Sequence, residues 1–158
     1  MNQTITTNQS DIKEIISARF IEPGFDYWFT NHEHIRSPFP SNIRVELKDR
    51  TSSIFFDWID GLKEQELNSM KDDEFAEMFE TILFNEAMKL VDDEDGKLTI
   101  AYPFLPRLGD MVNHGQHGKG EIVSRKETIS KDNKKLFELS VLSQQTGVKW
   151  VTQFELPD

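Results

Sequence analysis

Residues 109–123 read GDMVNHGQHGKGEIV, and this stretch decides the fold of the last third of the chain. Apolar pairs stand near its two ends, at 111–112 and 122–123, and three glycines, at 115, 118 and 120, stand between them. Because glycine reaches positive φ without steric cost, such a cluster is typical of a tight turn or a bulge. The stretch therefore predicts a β-hairpin.

Two segments further along the chain continue the β pattern. In residues 136–142 and again in residues 148–153, side chains alternate with period two, which is typical of strands with one buried face. Turn-forming residues at 131–133 and 145–147 separate the segments. Several short strands with turns between them predict a small barrel or sandwich, and closure into a barrel would remove unpaired strand edges.

The hairpin also carries a resemblance to known protein modules. Its pattern Gly-Asp-x-Val-x-His-x-x-His-Gly-x-Gly, here Gly109 to Gly120, resembles the opening of the RNA-polymerase-interacting domain of CarD-type regulators and transcription–repair coupling factors. It is also similar to the start of the Tudor-like C-terminal module of UvrD/PcrA-type helicases. Those modules are small SH3-like barrels that bind protein surfaces, RNA polymerase among them. The resemblance implies an SH3/Tudor-like barrel over residues 107–158.

Charge separates the front of the chain from this segment. Residues 1–106 carry 10 Lys and Arg against 21 Asp and Glu, a net charge of −11, whereas residues 107–158 carry 8 against 7, a net of +1. Both prolines of Pro103–Pro106 fix φ, so this segment reads as a stiff linker. We predict an α+β protein: an acidic, mainly helical domain in residues 1–102, a Pro-rich linker in 103–106, and an SH3/Tudor-like β-barrel in 107–158.

Hydrophobic spacing predicts the elements of the acidic domain. A helix ends near Phe20, before Pro23–Gly24, and a second begins at Ser52 or Ser53. The longest helix begins at residues 71–73 and keeps one apolar stripe to residue 91. Period-two alternation predicts a half-exposed strand over residues 43–48 and an apolar run predicts another over 98–102.

Aromatic residues crowd the segment 20–40, which prolines and a glycine interrupt. One interpretation is an irregular chain that packs on the core through its rings. The other is an exposed surface for a partner, because Trp, Tyr and Phe anchor protein interfaces. Trp28 is the candidate contact residue in the second interpretation.

We interpret the chain as a non-enzymatic, cytoplasmic protein-interaction module that requires no cofactor. It has no cysteine, which fits a reducing compartment, and no apolar run of the roughly 18 residues needed for a membrane span. It also has no Gly-x-Ser-x-Gly elbow and no phosphate-binding loop before a helix. By the resemblance, its protein partner is the transcription machinery, RNA polymerase in particular. The candidate partner-binding residues are His114, His117, Lys119, Arg125, Lys126 and Trp28.

Two alternatives remain. A metal-dependent enzyme could use the histidine pairs His32/His34 and His114/His117, since imidazole binds zinc, copper, nickel and iron, but one shared site requires the two loops to dock. A nucleic-acid-binding barrel could use the lysines and arginine of residues 125–135 together with Phe137 and Trp150. The acidic residues 1–106 would repel phosphates, so nucleic acid is disfavoured there.

Overall fold

The computed structural model describes residues 9–157, which form two compact units with the boundary between Asp92 and Asp93. The first contains helices α1 (Gln9–Ile16), α2 (Glu22–Trp28), α3 (Arg44–Asp60), α4 (Glu64–Ser69) and α5 (Asp72–Leu90), with a π-helical turn (Ser17–Ile21) and a 3-10 turn (Ser41–Ile43). The second contains helix α6 (Glu94–Ala101) and strands β1 (Met111–His114), β2 (Gly118–Ile129), β3 (Lys135–Ser143) and β4 (Lys149–Glu155). The predicted α+β class, helical first and β-stranded last, is confirmed.

Aromatic rings form the core of the first unit. Phe25, Phe55 and Phe79 are fully buried, and the Phe79 ring centroid lies 5.9 Å from that of Phe25 and 5.5 Å from that of Phe55. Helix α2 approaches this core at Gly24, where a Cβ atom would lie only 2.3 Å from the Phe79 ring. A glycine is therefore required inside this helix because any side chain would displace a buried ring.

The predicted strand over residues 43–48 is wrong, because helix α3 begins at Arg44 rather than at Ser52 or Ser53. Val45, part of the alternating pattern, is 76% exposed. Residues four apart along α3 are buried together and form one helix face: Leu47, Thr51, Phe55 and Ile59. This longer helical pattern outweighs a period-two run that covers only a few residues.

The first helical segment continues past Phe20, where the sequence predicts its end. In the π-helical turn, the N–H of Glu22 donates to the carbonyl of Ser17, and α2 then runs through Pro23–Gly24 to Trp28. Pro23, which has no backbone N–H to donate, lies just after the π-helical turn, where the regular i→i−4 hydrogen-bond pattern is already interrupted.

Residues 98–102, predicted as a strand, belong largely to helix α6. The Asp93 side chain caps this helix by accepting a hydrogen bond from the N–H of Gly96 at 2.8 Å. Leu98 and Leu105 are both buried in the core of the second unit. The segment Pro103–Pro106, predicted as a linker, therefore packs with the strands, and the compact unit begins at Asp93.

The four strands form one antiparallel sheet, in the order β1-β2-β3-β4, that curls into a half-barrel. The predicted hairpin and the two strands predicted after it are confirmed, and β1 and β4 form the two edges. A β-bulge between Ile122 and Ser124 bends β2. The core of the unit consists of Leu98, Leu105, Ile122, Phe137, Leu139, Val141 and Leu156. No helix in the described part of the chain has both the length and the apolar composition needed to cross a bilayer.

Thr51 offers a substitution that we expect to stabilise the first unit. Its side chain is completely buried, and its hydroxyl has no hydrogen-bond partner within the described residues. Thr51→Val exchanges an unsatisfied hydroxyl for a methyl group of similar size, so the free energy of unfolding should rise by about 1 kcal/mol. Urea denaturation followed by circular dichroism measures the change. A loss of stability would show that the hydroxyl is hydrogen-bonded in solution.

Candidate functional site

Three aromatic side chains meet at one end of the half-barrel, where the β1–β2 hairpin turns. The ring centroids of His114 and His117 lie 5.0 Å apart, and they lie 4.8 Å and 5.3 Å from the centroid of Trp150. The His117 and Trp150 rings are stacked, with 15° between their planes. We call these three residues the ring cluster. Trp150 pairs with buried Val141, so the cluster continues the core towards the end of the sheet.

Hydrogen bonds fix the hairpin turn against the turn between β3 and β4. The hydroxyl of Ser143 donates to the carbonyl of His117 at 2.8 Å, and the N–H of Gln144 donates to the carbonyl of Lys119 at 3.0 Å. Gly118 has a φ of +67°, and a Cβ atom there would lie 2.8 Å from Oε1 of Gln145. These contacts fix the backbone of the hairpin turn at His117 and Lys119.

Only some of the polar atoms in the ring cluster form hydrogen bonds. The N–H of Gln116 donates to Nδ1 of His114 at 3.3 Å, while Nε1 of Trp150 is buried without a hydrogen-bond partner in the described chain. His114 is exposed, and His117 and Trp150 are half-buried. The cluster therefore presents ring surface to solvent from a rigid base.

Arg125, a predicted partner contact, is instead buried, with a side chain only 1% exposed. Its Nε donates to Oδ1 of Asp95 at 2.6 Å, and its Nη1 donates to the carbonyl of Pro106 at 2.8 Å. Its Nη2 donates to the Thr99 hydroxyl and to the Asp95 carbonyl. Arg125 thus joins β2 to α6, and we exclude it from the partner surface.

The β-bulge explains why Arg125 faces the core. Ile122 pairs with Val141 and Arg125 pairs with Leu139, so both face the core although they are three residues apart. In a regular strand, residues three apart face opposite sides, but one extra residue reverses the alternation. No signal in the sequence marks the bulge at this position.

Lys126 therefore faces the outer side of the sheet. Its Nζ lies 3.1 Å from Oε2 of Glu138, whose Oε1 accepts a hydrogen bond from Nε2 of Gln153 at 2.7 Å. The hydrogen bond from Gln153 and, to a smaller extent, that from Lys126 lower the pKa of Glu138.

Lys119 is exposed and pairs with Asn113, one position along from His114. By strand alternation it lies next to the ring cluster in the chain but on the opposite face of the hairpin.

The remaining predicted residues lie in the first unit. His32 stacks on Tyr27 with ring centroids 4.1 Å apart, and its Nε2 lies 2.8 Å from the Tyr27 carbonyl. His34 is exposed. Trp28 is half-buried, and its ring centroid lies 4.8 Å from that of Phe84. The rings of this segment pack within their own unit, as the first interpretation describes, but residues 22–28 form helix α2 rather than an irregular chain, and Tyr27 is 46% exposed.

The described residues do not provide the set of ligands that the metal-site hypothesis requires. Within residues 9–157, no group of three or more His, Asp or Glu side chains is arranged to hold a metal ion. His114 and His117 are close, but protein zinc sites use three or four protein ligands. These two imidazoles and the indole packed against them do not supply that number.

Comparisons of the chain with protein-family models, with curated proteins and with solved structures found no match. The resemblance to the RNA-polymerase-interacting modules therefore rests on residues 109–120. Trp150 is predicted as a contact only in the nucleic-acid alternative, and it joins the predicted histidines only in the folded chain. The sequence signal that could have suggested it is the alternation of β4, which places Trp150 on the face of the strand that turns inwards.

Proposed function

We propose that the second unit is a non-enzymatic protein-interaction module that docks through the ring cluster and the 113–120 hairpin. The observation that carries this proposal is the close packing of His114, His117 and Trp150 on a turn that hydrogen bonds already fix. Rigid aromatic side chains lose little conformational entropy on binding, which makes them effective interface anchors. Lys119 is exposed on the opposite face of the same hairpin and is not part of the ring cluster.

The choice of partner comes from the resemblance. The pattern Gly109–Gly120 resembles modules that bind RNA polymerase, and in this chain it forms a hairpin at the start of a curled four-stranded sheet. An SH3/Tudor-like identity of the half-barrel belongs to the same proposal. RNA polymerase is therefore the first partner to test.

The charges of the sheet favour a protein partner over nucleic acid. Three lysines of the β2–β3 hairpin lie 3.0 to 3.9 Å from carboxylates: Lys126 from Glu138, Lys134 from Glu155, and Lys135 from Glu127. Arg125 is buried, and residues 93–158 carry 9 Lys and Arg against 10 Asp and Glu. Nucleic-acid binding depends on cations that neutralise phosphates, and here most of the predicted ones already have acidic neighbours.

The double substitution His114→Ala/His117→Ala tests the docking surface. It removes two of the three rings without altering a buried core residue, so we expect binding to purified RNA polymerase to weaken by about tenfold or more. Biolayer interferometry with the full chain measures the dissociation constant, and circular dichroism checks the fold.

The chain supplies a matched control in its other histidine pair. His32→Ala/His34→Ala makes the same change in composition within the first unit and should leave binding unchanged. Equal affinities for both double variants would overturn the docking surface. Failure of the wild-type chain to bind would overturn the choice of RNA polymerase.

A further inference from the structure

Strand β4 has one backbone edge that pairs with no other strand in the described chain. The N–H of Leu156 donates to the carbonyl of Lys135, and the N–H of Ser143 donates to the carbonyl of Val148, both at 2.9 Å. Since backbone groups alternate in direction along a strand, the even-numbered residues of β4 direct theirs towards β3. The odd-numbered residues direct theirs away from the sheet: Lys149, Val151, Gln153 and Glu155.

The sequence of β4, Lys-Trp-Val-Thr-Gln-Phe-Glu, is complementary to itself in the antiparallel direction. When two copies are centred on Thr152, Lys149 lies opposite Glu155 and Trp150 lies opposite Phe154. Opposite charges and aromatic pairs at directly opposed positions are those that stabilise antiparallel strands. The same register places odd-numbered residues opposite odd-numbered residues, whose backbone groups are the unpaired ones.

The side chains of this edge are also accessible. Val151 is 58% exposed and Phe154 is 39% exposed. Lys149 makes no ion pair within the described residues, and Glu155, which lies 3.0 Å from Lys134, is still more than half exposed. Natural edge strands usually avoid association by carrying a charge or a proline in mid-strand. Strand β4 has neither between Lys149 and Glu155.

We infer that β4 is a self-association edge, through which two copies of this chain form a two-fold symmetric antiparallel sheet centred on Thr152. Lys149 exchanges backbone hydrogen bonds with Glu155 of the second copy, and Val151 does so with Gln153, each pair occurring twice by symmetry. The association uses the edge of the strand rather than the hairpin turn. It rests on the pairing of strand β4 and not on the proposed function, although Trp150 belongs to both surfaces.

Introduced cysteines test the register, because the native chain contains none. Thr152→Cys places two thiols at a non-hydrogen-bonded pair, where opposed Cα atoms lie about 4.5 Å apart, within the range of a disulfide. Val151→Cys is the matched control: it is exposed, but it lies opposite Gln153, so its two copies are not opposed. We expect several-fold more oxidised dimer from Thr152→Cys on non-reducing gels. Equal or greater cross-linking of Val151→Cys would overturn the register.

Charge reversal tests the association itself. Sedimentation equilibrium of the full chain should show a concentration-dependent dimer. Lys149→Glu and Glu155→Lys should each weaken it by about tenfold, because each turns two attractive pairs into repulsive ones. The double variant Lys149→Glu/Glu155→Lys should restore the affinity to within about threefold. A wild-type chain that stays monomeric at every concentration, or a double variant as weak as the single ones, contradicts the inference.

Discussion

Arg125→Ala is expected to lower the free energy of unfolding of the second unit by about 3 to 5 kcal/mol. The guanidinium is buried and donates hydrogen bonds to Asp95, Thr99 and Pro106, so its removal leaves several acceptors without their donor. Asp95 also loses its cationic partner while its side chain remains 36% exposed. Because Arg125 is one of the side chains that join α6 to β2, its removal should loosen the packing of the helix on the sheet.

Denaturant titration of the full chain measures this effect, with tryptophan fluorescence and circular dichroism as probes. Lys126→Ala is the matched control, since Lys126 is adjacent in sequence but exposed and pairs with Glu138 at the surface. Its effect should stay within about 1 kcal/mol. Arg125→Ala with Asp95→Ala should cost less than the sum of the single substitutions, because both remove the same ion pair. A loss below about 1 kcal/mol for Arg125→Ala would show that the guanidinium is solvated in solution.

Gly120→Ala is expected to destabilise the second unit by about 2 to 3 kcal/mol, near the upper end of the cost of overpacking. A Cβ atom at this position would lie 2.6 Å from Cγ1 of Val141 and 3.0 Å from the carbonyl oxygen of Leu142. Val141 is completely buried and Leu142 belongs to the paired strand, so neither neighbour can move without disturbing the sheet. The requirement at Gly120 is therefore space, because its φ is not positive.

Gly115→Ala is the control for this substitution, since a Cβ atom there would meet nothing within 4 Å. It should change the free energy of unfolding by no more than about 0.5 kcal/mol. Thermal unfolding of the two variants beside the wild-type chain separates a steric effect from a general effect of glycine replacement. Equal stabilities of Gly115→Ala and Gly120→Ala would mean that β2 and β3 are more widely spaced in solution.

The sequence predicts that the glycines of the hairpin form a turn, but only the structure shows why a glycine is needed at positions 118 and 120. The sequence predicts a turn from the cluster at 115, 118 and 120, and the turn is present. Their separate roles depend on neighbours that lie far along the chain: Gly118 has a positive φ and lies against Gln145, while Gly120 makes room for Val141. The composition of a turn is a local property, whereas the space around each residue is not.

The sequence predicts some residues of the candidate site, and only the tertiary structure identifies the others. The spacing of His114 and His117 within one predicted hairpin brings them to the same turn, so the sequence identifies both. Trp150 joins them only because β4 pairs with β3 and the two turns meet through Ser143. Arg125 is not part of the candidate site because its side chain, after the bulge in β2, faces the core and is buried.

By itself, the sequence determined the four strands, the glycine turn, the longest helix and the order of a helical part before a β part, because these follow from local steric preferences and from periodicity over many residues. Only the tertiary structure decided that residues 43–48 and 98–101 are helical, that Arg125 is buried, and that Pro103–Pro106 packs with the sheet. In those places the local pattern is short or shifted by a bulge. The secondary structure and the burial of such a segment then depend on which distant residues pack against its side chains, and the neighbouring residues in the sequence do not determine this.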